Sequence, residues 1–302
     1  MDHDNVVSQN RAALRATIDF AEKQLGALAW EPAAGSEATA ELSNTETRDD
    51  RSPWGERPPR TAYAAAKLMM LGVVDNLKSL ERLLADPMPV IGPTVIARSA
   101  IEIASGAWWL MEPGIGVRRR VCRELVASLT SARWAMKVAN EYEEKFRISG
   151  GPMPQEIAKL IADVRRQEAT VLQRSTNLAV TAPTPGTNTR IETEQADAAT
   201  TATANMLEAL LPPDMLGTIF YRTYSAVTHG QFYGLMNFMT PAVQSDGTPF
   251  LQWRLPPDLL DSTIQIAIGA VRQPYLRIAT VMGWDQKDAK LWDAEVHAIY
   301  NS

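Results

Sequence analysis

The chain has 302 residues, of which 45% are hydrophobic and 22% are charged, a composition typical of a globular protein rather than a disordered or collagenous one. It carries 30 Lys and Arg residues against 35 Asp and Glu residues, so its formal net charge is -5. Such a chain does not attract nucleic acid or anionic lipid as a whole, and any phosphate-binding site must be local. A single cysteine, Cys122, and three histidines exclude an intrachain disulfide and zinc-finger sites.

No stretch reaches the roughly 20 consecutive apolar residues that a membrane-spanning helix needs. The N-terminus, MDHDNVV, has acidic residues where a signal peptide has basic ones, and no apolar core follows it. We therefore expect a protein of the reducing cytoplasm with no membrane partner.

Helical periodicity begins in the first 25 or so residues, and an acidic stretch with several prolines follows from Glu31 to Pro59. This stretch predicts a mobile or loosely packed linker. We therefore expect an N-terminal helix plus acidic flexible linker over 1–59 and a helical bundle domain over 60–302.

Within the bundle, apolar stripes at helical spacing predict a series of helices, and the second of them is apolar almost all round, which is typical of a central helix. The first five predicted helices cover 60–86, 93–111, 117–147, 154–178 and 192–211.

After the helix breaker LPPD, one helix is predicted over 214–236, and two more over 257–282 and 285–300, the former kinked or broken near Pro274. Between them, apolar segments that flank SDG predict a short β-hairpin near 235–255, which would be the one sheet of the molecule. The predicted fold class is all-α: one irregular multi-helix bundle of about eight helices.

The helix over 214–236 concentrates residues that can carry chemistry. Arg222, Ser225, His229 and Tyr233 are three or four residues apart, so at about 100° per residue they share one face of a helix. A guanidinium can bind a phosphate with two parallel hydrogen bonds, and an imidazole can transfer a proton near neutral pH. Together they suffice for metal-free cleavage of RNA. We assign catalysis to Arg222 and His229, with Ser225 or Tyr224 in support.

The segment Arg222-Thr-Tyr-Ser-Ala-Val-Thr-His229 resembles the HEPN superfamily of helical proteins, many of which are metal-independent ribonucleases of toxin and anti-phage systems. Members carry an Arg and a His four to six residues apart near the end of a bundle helix. This chain has six intervening residues rather than the commoner four. The resemblance implies a homodimer in which Arg and His of two protomers meet. There His assists attack by the 2′-hydroxyl of RNA, and Arg stabilises the phosphate.

A second similarity is broader. The phrase RSAIEIASGAWWLMEP followed by RRR, with YSAVTHG downstream, is similar to uncharacterised helical proteins of high-GC bacteria. This similarity implies a helical fold and carries no function.

A second candidate site lies on the apolar helix, where Arg98 and Glu102 share a face with Ser105. Burying a charged pair is costly unless it is paired or hydrogen-bonded, and Asp75 and Asn76 of the preceding helix are candidate partners. Two interpretations stay open. The residues form a salt bridge between positions i and i+4 with interhelical contacts that fix the register, or they line a polar pocket that includes the catalytic pair.

A basic run, Arg118, Arg119, Arg120 and Arg123, occupies the first turns of a predicted helix, where the helix dipole favours acidic residues. We name Arg119 and Arg120 as candidate contacts to a phosphate or an acidic partner. A solvated helix face is the alternative interpretation.

Other signatures are missing. The sequence has no Gly-rich phosphate loop, no Gly-x-Ser-x-Gly, no His-Glu-x-x-His and no Glu-x-x-His pair, so no cofactor and no metal are expected. No basic helix-turn-helix stands out, and duplex DNA is not an expected partner.

The sequence thus predicts a metal-independent ribonuclease of toxin or phage-defence type that acts on RNA as a homodimer. The alternative is a non-catalytic helical sensor or assembly subunit that binds a protein partner or small ligand, for instance through Trp108 and Trp109.

Overall fold

A computed structural model of the chain describes residues 3–27, 30–43, 54–85, 87–180, 189–195, 199–211 and 217–302. These residues form eleven α-helices and two short antiparallel strand pairs, which confirms the prediction of an all-α fold. In the part of the chain that the structure describes, none of the helices has the length and apolar character needed to cross a bilayer. The chain divides into two compact units, each assembled from separate segments.

The first unit comprises Met1–Thr39, Ala64–Gly114 and Ala198–Ser302. Helices α4 (Gly92–Leu110) and α10 (Pro257–Met282) pack together at its centre. A stripe of small side chains on α4, spaced three or four residues apart, is fully buried and lets α10 approach closely. This stripe comprises Ala97, Ala100, Ala104 and Ala107. The helix that the sequence predicted to be central therefore is central to this unit.

The N-terminal helix α1 (His3–Ala27) is part of the same unit, because it packs on α10 and on α11 (Lys287–Tyr300). The Phe20 ring stacks on Trp292 at 4.6 Å between centroids and meets the edge of Tyr275 at 4.9 Å. A boundary at residue 59 therefore does not describe how the chain divides, since α1 shares its core with the last two helices.

Of the kink or break predicted near Pro274, the break is absent. Pro274 lies inside α10, which continues to Met282 and ends at Gly283 in the left-handed conformation, with φ of 69°. A proline within a helix removes one backbone hydrogen bond. Buried neighbours such as Val271 and Ile278 hold both halves of the helix in the core, which offsets that loss.

The second unit comprises Ala40–Tyr63 and Ile115–Asp197. Its long helices α5 (Gly116–Ser149) and α6 (Gln155–Asn177) are joined by a short connection at Gly150, pack side by side and bury Ala139, Ile161 and Val164 between them. The N-terminal segment of this unit contains the end of a short helix, α2 (Glu37–Leu42), and the start of α3 (Arg57–Leu83).

Two predictions for this part of the chain need correction. The stretch over 31–59 was predicted to be a linker, but α2 forms within it, while 44–53 lie outside the described residues. The helix predicted over 192–211 begins instead at Ala199, as α7 (Ala199–Leu210). Its expected start is a small hairpin of β1 (Arg190–Ile191) and β2 (Glu194–Gln195), with Glu192 at the turn with φ of 53°. The hairpin near 235–255 is thus not the one sheet among the described residues.

That second hairpin lies in the first unit. Helix α8 (Gly217–Thr228) leads through the short helix α9 (Phe232–Leu235) and a 3-10 turn (Met236–Phe238) into β3 (Met239–Val243) and β4 (Pro249–Trp253). The turn between the strands contains Gly247 with φ of 85°, a conformation that glycine adopts without strain.

Candidate functional site

Arg222 lies in helix α8, and His229 directly follows the last residue of that helix, which is shorter than the sequence predicted. It ends at Thr228, although the His229 N–H still donates to the Ser225 carbonyl oxygen at 3.0 Å. Gly230 follows with φ of 63°, a left-handed residue that terminates the helix. Residues 214–216 of the predicted helix lie outside the described residues. The expected stripe from Arg222 to Tyr233 is therefore split between two helices, because the chain turns at Gly230.

The Arg222 and His229 side chains are both exposed. Within the described residues, neither the guanidinium nor the imidazole has a hydrogen-bond or ion-pair partner. Seven residues of helix separate them by about 10.5 Å along the axis. The two groups are thus available to a ligand, but they lie far apart for a single phosphate.

The supporting residues differ in their access to solvent. Ser225 is half-buried on the same helix. Tyr224 is buried, and its hydroxyl lies 3.3 Å from the Thr263 hydroxyl. Burial raises the pKa of Tyr224 to about 12, and the hydrogen bond to Thr263 offsets only part of that rise. Tyr224 thus contributes to the core and does not share the exposed surface with Arg222 and His229, which corrects its expected catalytic support.

Tyr233, rather than Tyr224, lies beside Arg222. Although it belongs to α9, its hydroxyl donates to the Arg222 carbonyl oxygen at 3.3 Å, while more than half of its side chain stays exposed. The close packing of α9 against α8 makes this possible, since a Cβ atom at Gly234 would lie 2.7 Å from the backbone of Ala226. An exposed aromatic ring therefore lies next to the Arg222 backbone, a feature that bases can stack upon.

The segment 217–256 carries a small excess of positive charge. It contains Arg222 and Arg254 but one acidic residue, Asp246, in a chain that is acidic overall. Two carboxylates from outside the segment also contact α8, since Tyr221 donates to Glu102 and Thr218 donates to Glu208. The excess therefore belongs to the segment and not to all the groups around it.

The second candidate site proves to be a bonded network on α4. The Arg98 guanidinium donates to the Glu102 carboxylate at 2.8 Å, and the Tyr221 hydroxyl donates to the same carboxylate at 3.1 Å. The Ser105 hydroxyl meets the Thr203 hydroxyl of α7 at 2.9 Å. These contacts match the interpretation as a salt bridge with interhelical bonds that fix the register, rather than a pocket shared with His229.

The expected partners on the preceding helix do not join this network. The Asn76 amide donates to the Gly72 carbonyl oxygen of its own helix at 2.8 Å, and Asp75 is exposed. Both residues lie on α3 and were expected to meet Arg98 and Glu102. Tyr221 of α8, rather than Asp75 or Asn76, is the third residue bonded in the network of Arg98 and Glu102.

The basic run at the start of α5 forms internal ion pairs in the second unit, although Arg118 and Arg119 keep part of their side chains exposed to solvent. Arg120 is fully buried, and its guanidinium donates to the buried Glu41 carboxylate at 2.9 Å. Arg119 and the buried Arg123 donate to opposite oxygens of Glu194 at 2.6 and 2.8 Å. Acidic groups of the chain itself thus occupy the positions where the sequence suggested a phosphate or an acidic partner.

Trp108 and Trp109, which the sequence suggested as a contact to a partner or ligand, are both half-buried. The Trp108 ring lies under the Arg277 guanidinium at 3.4 Å. Across the described residues, no three His, Cys, Asp or Glu side chains converge as metal ligands.

Sequence spacing did not single out Phe232, the most exposed aromatic residue near His229, or the exposed apolar side chains of the hairpin after it. The apolar residues concentrated in both strands, with no charged residue among them, were the signal that could have found these side chains. No protein-family model, no curated protein and no solved structure matches the chain.

Proposed function

We propose that the protein is a metal-independent ribonuclease that cleaves single-stranded RNA at the exposed end of α8. The observation that carries this proposal is the pairing of an exposed guanidinium, Arg222, with an exposed imidazole, His229, neither of which has a partner among the described side chains. The buried arginines Arg120 and Arg123, in contrast, are bonded to carboxylates of the chain. An unbonded guanidinium next to the exposed ring of Tyr233 suits a ligand with phosphates and bases.

In the reaction, Arg222 binds the scissile phosphate and offsets the negative charge that develops on it. The His229 imidazole accepts the proton of the ribose 2′-hydroxyl, whose oxygen then attacks the adjacent phosphorus. The bond from phosphorus to the 5′-oxygen breaks, and that oxygen takes up a proton. The products are a 2′,3′-cyclic phosphate end and a free 5′-hydroxyl.

The separation of about 10.5 Å along α8 favours a dimer. In our proposal Arg222 of one copy and His229 of a second copy hold the same phosphate, the arrangement that the HEPN resemblance implies. We also propose a toxin or phage-defence role in the cytoplasm, and the resemblance to the HEPN superfamily is what supports that role.

The test is cleavage of end-labelled single-stranded RNA in the presence of EDTA, comparing wild type with H229A and R222A. Each variant should lower the rate about 100-fold or more, the usual contribution of a general base or a charge-stabilising group. The controls are H297A and R147A, which remove an exposed histidine bonded to Asn301 and an exposed arginine bonded to Glu144.

Three further observations make the test specific. RNA with 2′-deoxyribose at the cleaved nucleotide should resist, because the attacking oxygen is missing, and the product should carry a cyclic phosphate. Equal cleavage by wild type and H229A, prepared identically, would reveal a contaminating nuclease and contradict the proposal. Lack of cleavage by wild type on a varied RNA pool would contradict it too.

One observation favours the alternative of a partner-binding subunit. Trp134, Val138 and Tyr142 are exposed and lie four residues apart on α5, so they form an apolar stripe on one helix face. Such a stripe suits a helix of another protein. If this alternative holds, W134A should abolish binding of that protein, and the wild-type chain should not cleave RNA.

A further inference from the structure

Tyr233 presents an uncovered aromatic ring beside Arg222. Its side chain is 58% exposed, more than that of any other tyrosine among the described residues, where Tyr142 is next at 45%. Within the same residues, no second aromatic ring and no cationic group contacts this ring. The face of the Tyr233 ring is therefore free for a ligand.

The ring is also held in place before any ligand binds. The Tyr233 hydroxyl donates to the Arg222 carbonyl oxygen at 3.3 Å, and the Asn237 amide donates to the Gly234 carbonyl oxygen of the same short helix at 2.9 Å. Gly234 packs directly against the Ala226 backbone, which fixes α9 on α8. A ring that is ordered in advance loses little conformational entropy on binding, so more of the stacking energy contributes to affinity.

The bonded hydroxyl limits what Tyr233 can recognise. Because it donates to a backbone oxygen, the hydroxyl is not free to donate to the edge of a base. The face of the ring remains, and a ring face stacks on every base without distinguishing the hydrogen-bonding groups of that base. Discrimination between bases then follows stacking strength, which is greater for the larger ring system of a purine than for a pyrimidine.

We infer that Tyr233 is a specificity-determining residue of the proposed ribonuclease, and that its ring stacks on an unpaired purine next to the phosphate that Arg222 binds. A nucleotide carries its base and its phosphate on one ribose, so a phosphate on Arg222 brings a neighbouring base to the ring that contacts the Arg222 backbone. The base must be unpaired, because neighbouring base pairs cover both faces of a base within a duplex. The substrate class is therefore single-stranded RNA with a purine beside the cleaved bond.

This inference rests on the proposed function for the choice of RNA as the ligand, but it concerns the binding of a base and not the cleavage of a bond. The two can fail separately, since binding can be measured on strands that cannot be cleaved. A 2′-O-methyl strand lacks the attacking hydroxyl, while it keeps its phosphates and bases.

The experiment is fluorescence anisotropy with the full chain and labelled 2′-O-methyl strands of about eight nucleotides at about 50 mM salt. One strand is oligouridylate, and the other has a single central adenine. Wild type should bind the adenine strand about three-fold more tightly, because one purine then replaces one pyrimidine on the ring.

Three variants locate the effect. Y233A should weaken binding of the adenine strand about 10-fold, the loss of one stacked base, and should abolish the preference for adenine. Y233F keeps the ring and should stay within about two-fold of wild type. Y142A removes an exposed ring of the second unit and should leave binding unchanged.

Several outcomes overturn the inference. They are equal binding of the two strands by wild type, no binding up to about 100 µM protein, and a Y233A variant that binds both strands as wild type does. The comparison of strands uses wild type alone, so it decides the question even if Y233A does not fold. A preference for adenine that depends on Tyr233, in a protein that cleaves no RNA, supports the stacking site and contradicts the ribonuclease.

Discussion

Arg120 is a residue whose removal tests the structure directly. Its guanidinium is fully buried in the second unit and donates to the Glu41 carboxylate, which also accepts a hydrogen bond from the Tyr63 hydroxyl. R120M keeps the approximate length of the side chain but removes the cation from beside a buried carboxylate. Breaking a buried ion pair in this way costs about 3–5 kcal/mol, because the charge that remains was desolvated on folding.

Urea denaturation followed by circular dichroism measures this loss. The double variant R120M/E41Q removes both charges while the amide can still accept from Tyr63, so it should recover about 2 kcal/mol or more relative to R120M. R147M is the matched control: it removes an arginine from an exposed pair with Glu144, and no measurable change is expected. If R120M were no more destabilising than R147M, Arg120 would not be buried against Glu41, and the ion-pair network of α5 would be refuted.

Three other predictions follow from single contacts. Burial raises the pKa of the Glu194 carboxyl, but hydrogen bonds and charge from Arg119 and Arg123 together lower it more, so that pKa lies below its usual range. Glu194 therefore stabilises the fold at pH values above its pKa in the unfolded chain, and this stabilisation is lost as the pH falls through its pKa in the folded protein. E194Q should therefore reduce the decrease of the urea midpoint between about pH 6 and about pH 3. G234A should cost about 1–3 kcal/mol in the same assay, because its Cβ atom would meet the Ala226 backbone at 2.7 Å. G151A is the control and should not, because its Cβ atom would meet only the Ser149 hydroxyl, at the ordinary contact distance of 3.7 Å. Burial raises the pKa of Cys122 to about 12, so a maleimide at about pH 8 should label the thiol in urea but not in the native protein, and native labelling would show that α5 opens.

The helices were largely predictable because their signals are local. A helix closes hydrogen bonds between residues four apart, so periodicity located α4 and α10, and the apolar character of α4 indicated its central position. The hairpin of β3 and β4 was predictable for the same reason, since SDG supplies a turn between two apolar segments. The start of α7 was not, because β1 and β2 depend on α5 arginines bonding Glu192 and Glu194.

The candidate site was only partly predictable. Spacing alone indicated that Arg222 and His229 share one side of α8, and it could not reveal the turn at Gly230 that separates Tyr233 from them. Which tyrosine lies outside depended on packing: Tyr224 bonds Thr263 of α10, while Tyr233 of α9 returns to Arg222.

The amino-acid sequence by itself determined the all-α class, most helix positions and the position of the hairpin of β3 and β4, because each depends on residues only a few positions apart. Tertiary structure decided which charges are satisfied. Arg120 and Glu41 are 79 positions apart and Arg123 and Glu194 are 71, so no local pattern links them. A run of arginines is the same whether it faces water, a phosphate or its own carboxylates; only the folded chain brings the carboxylates to Arg120 and Arg123 and leaves Arg222 exposed.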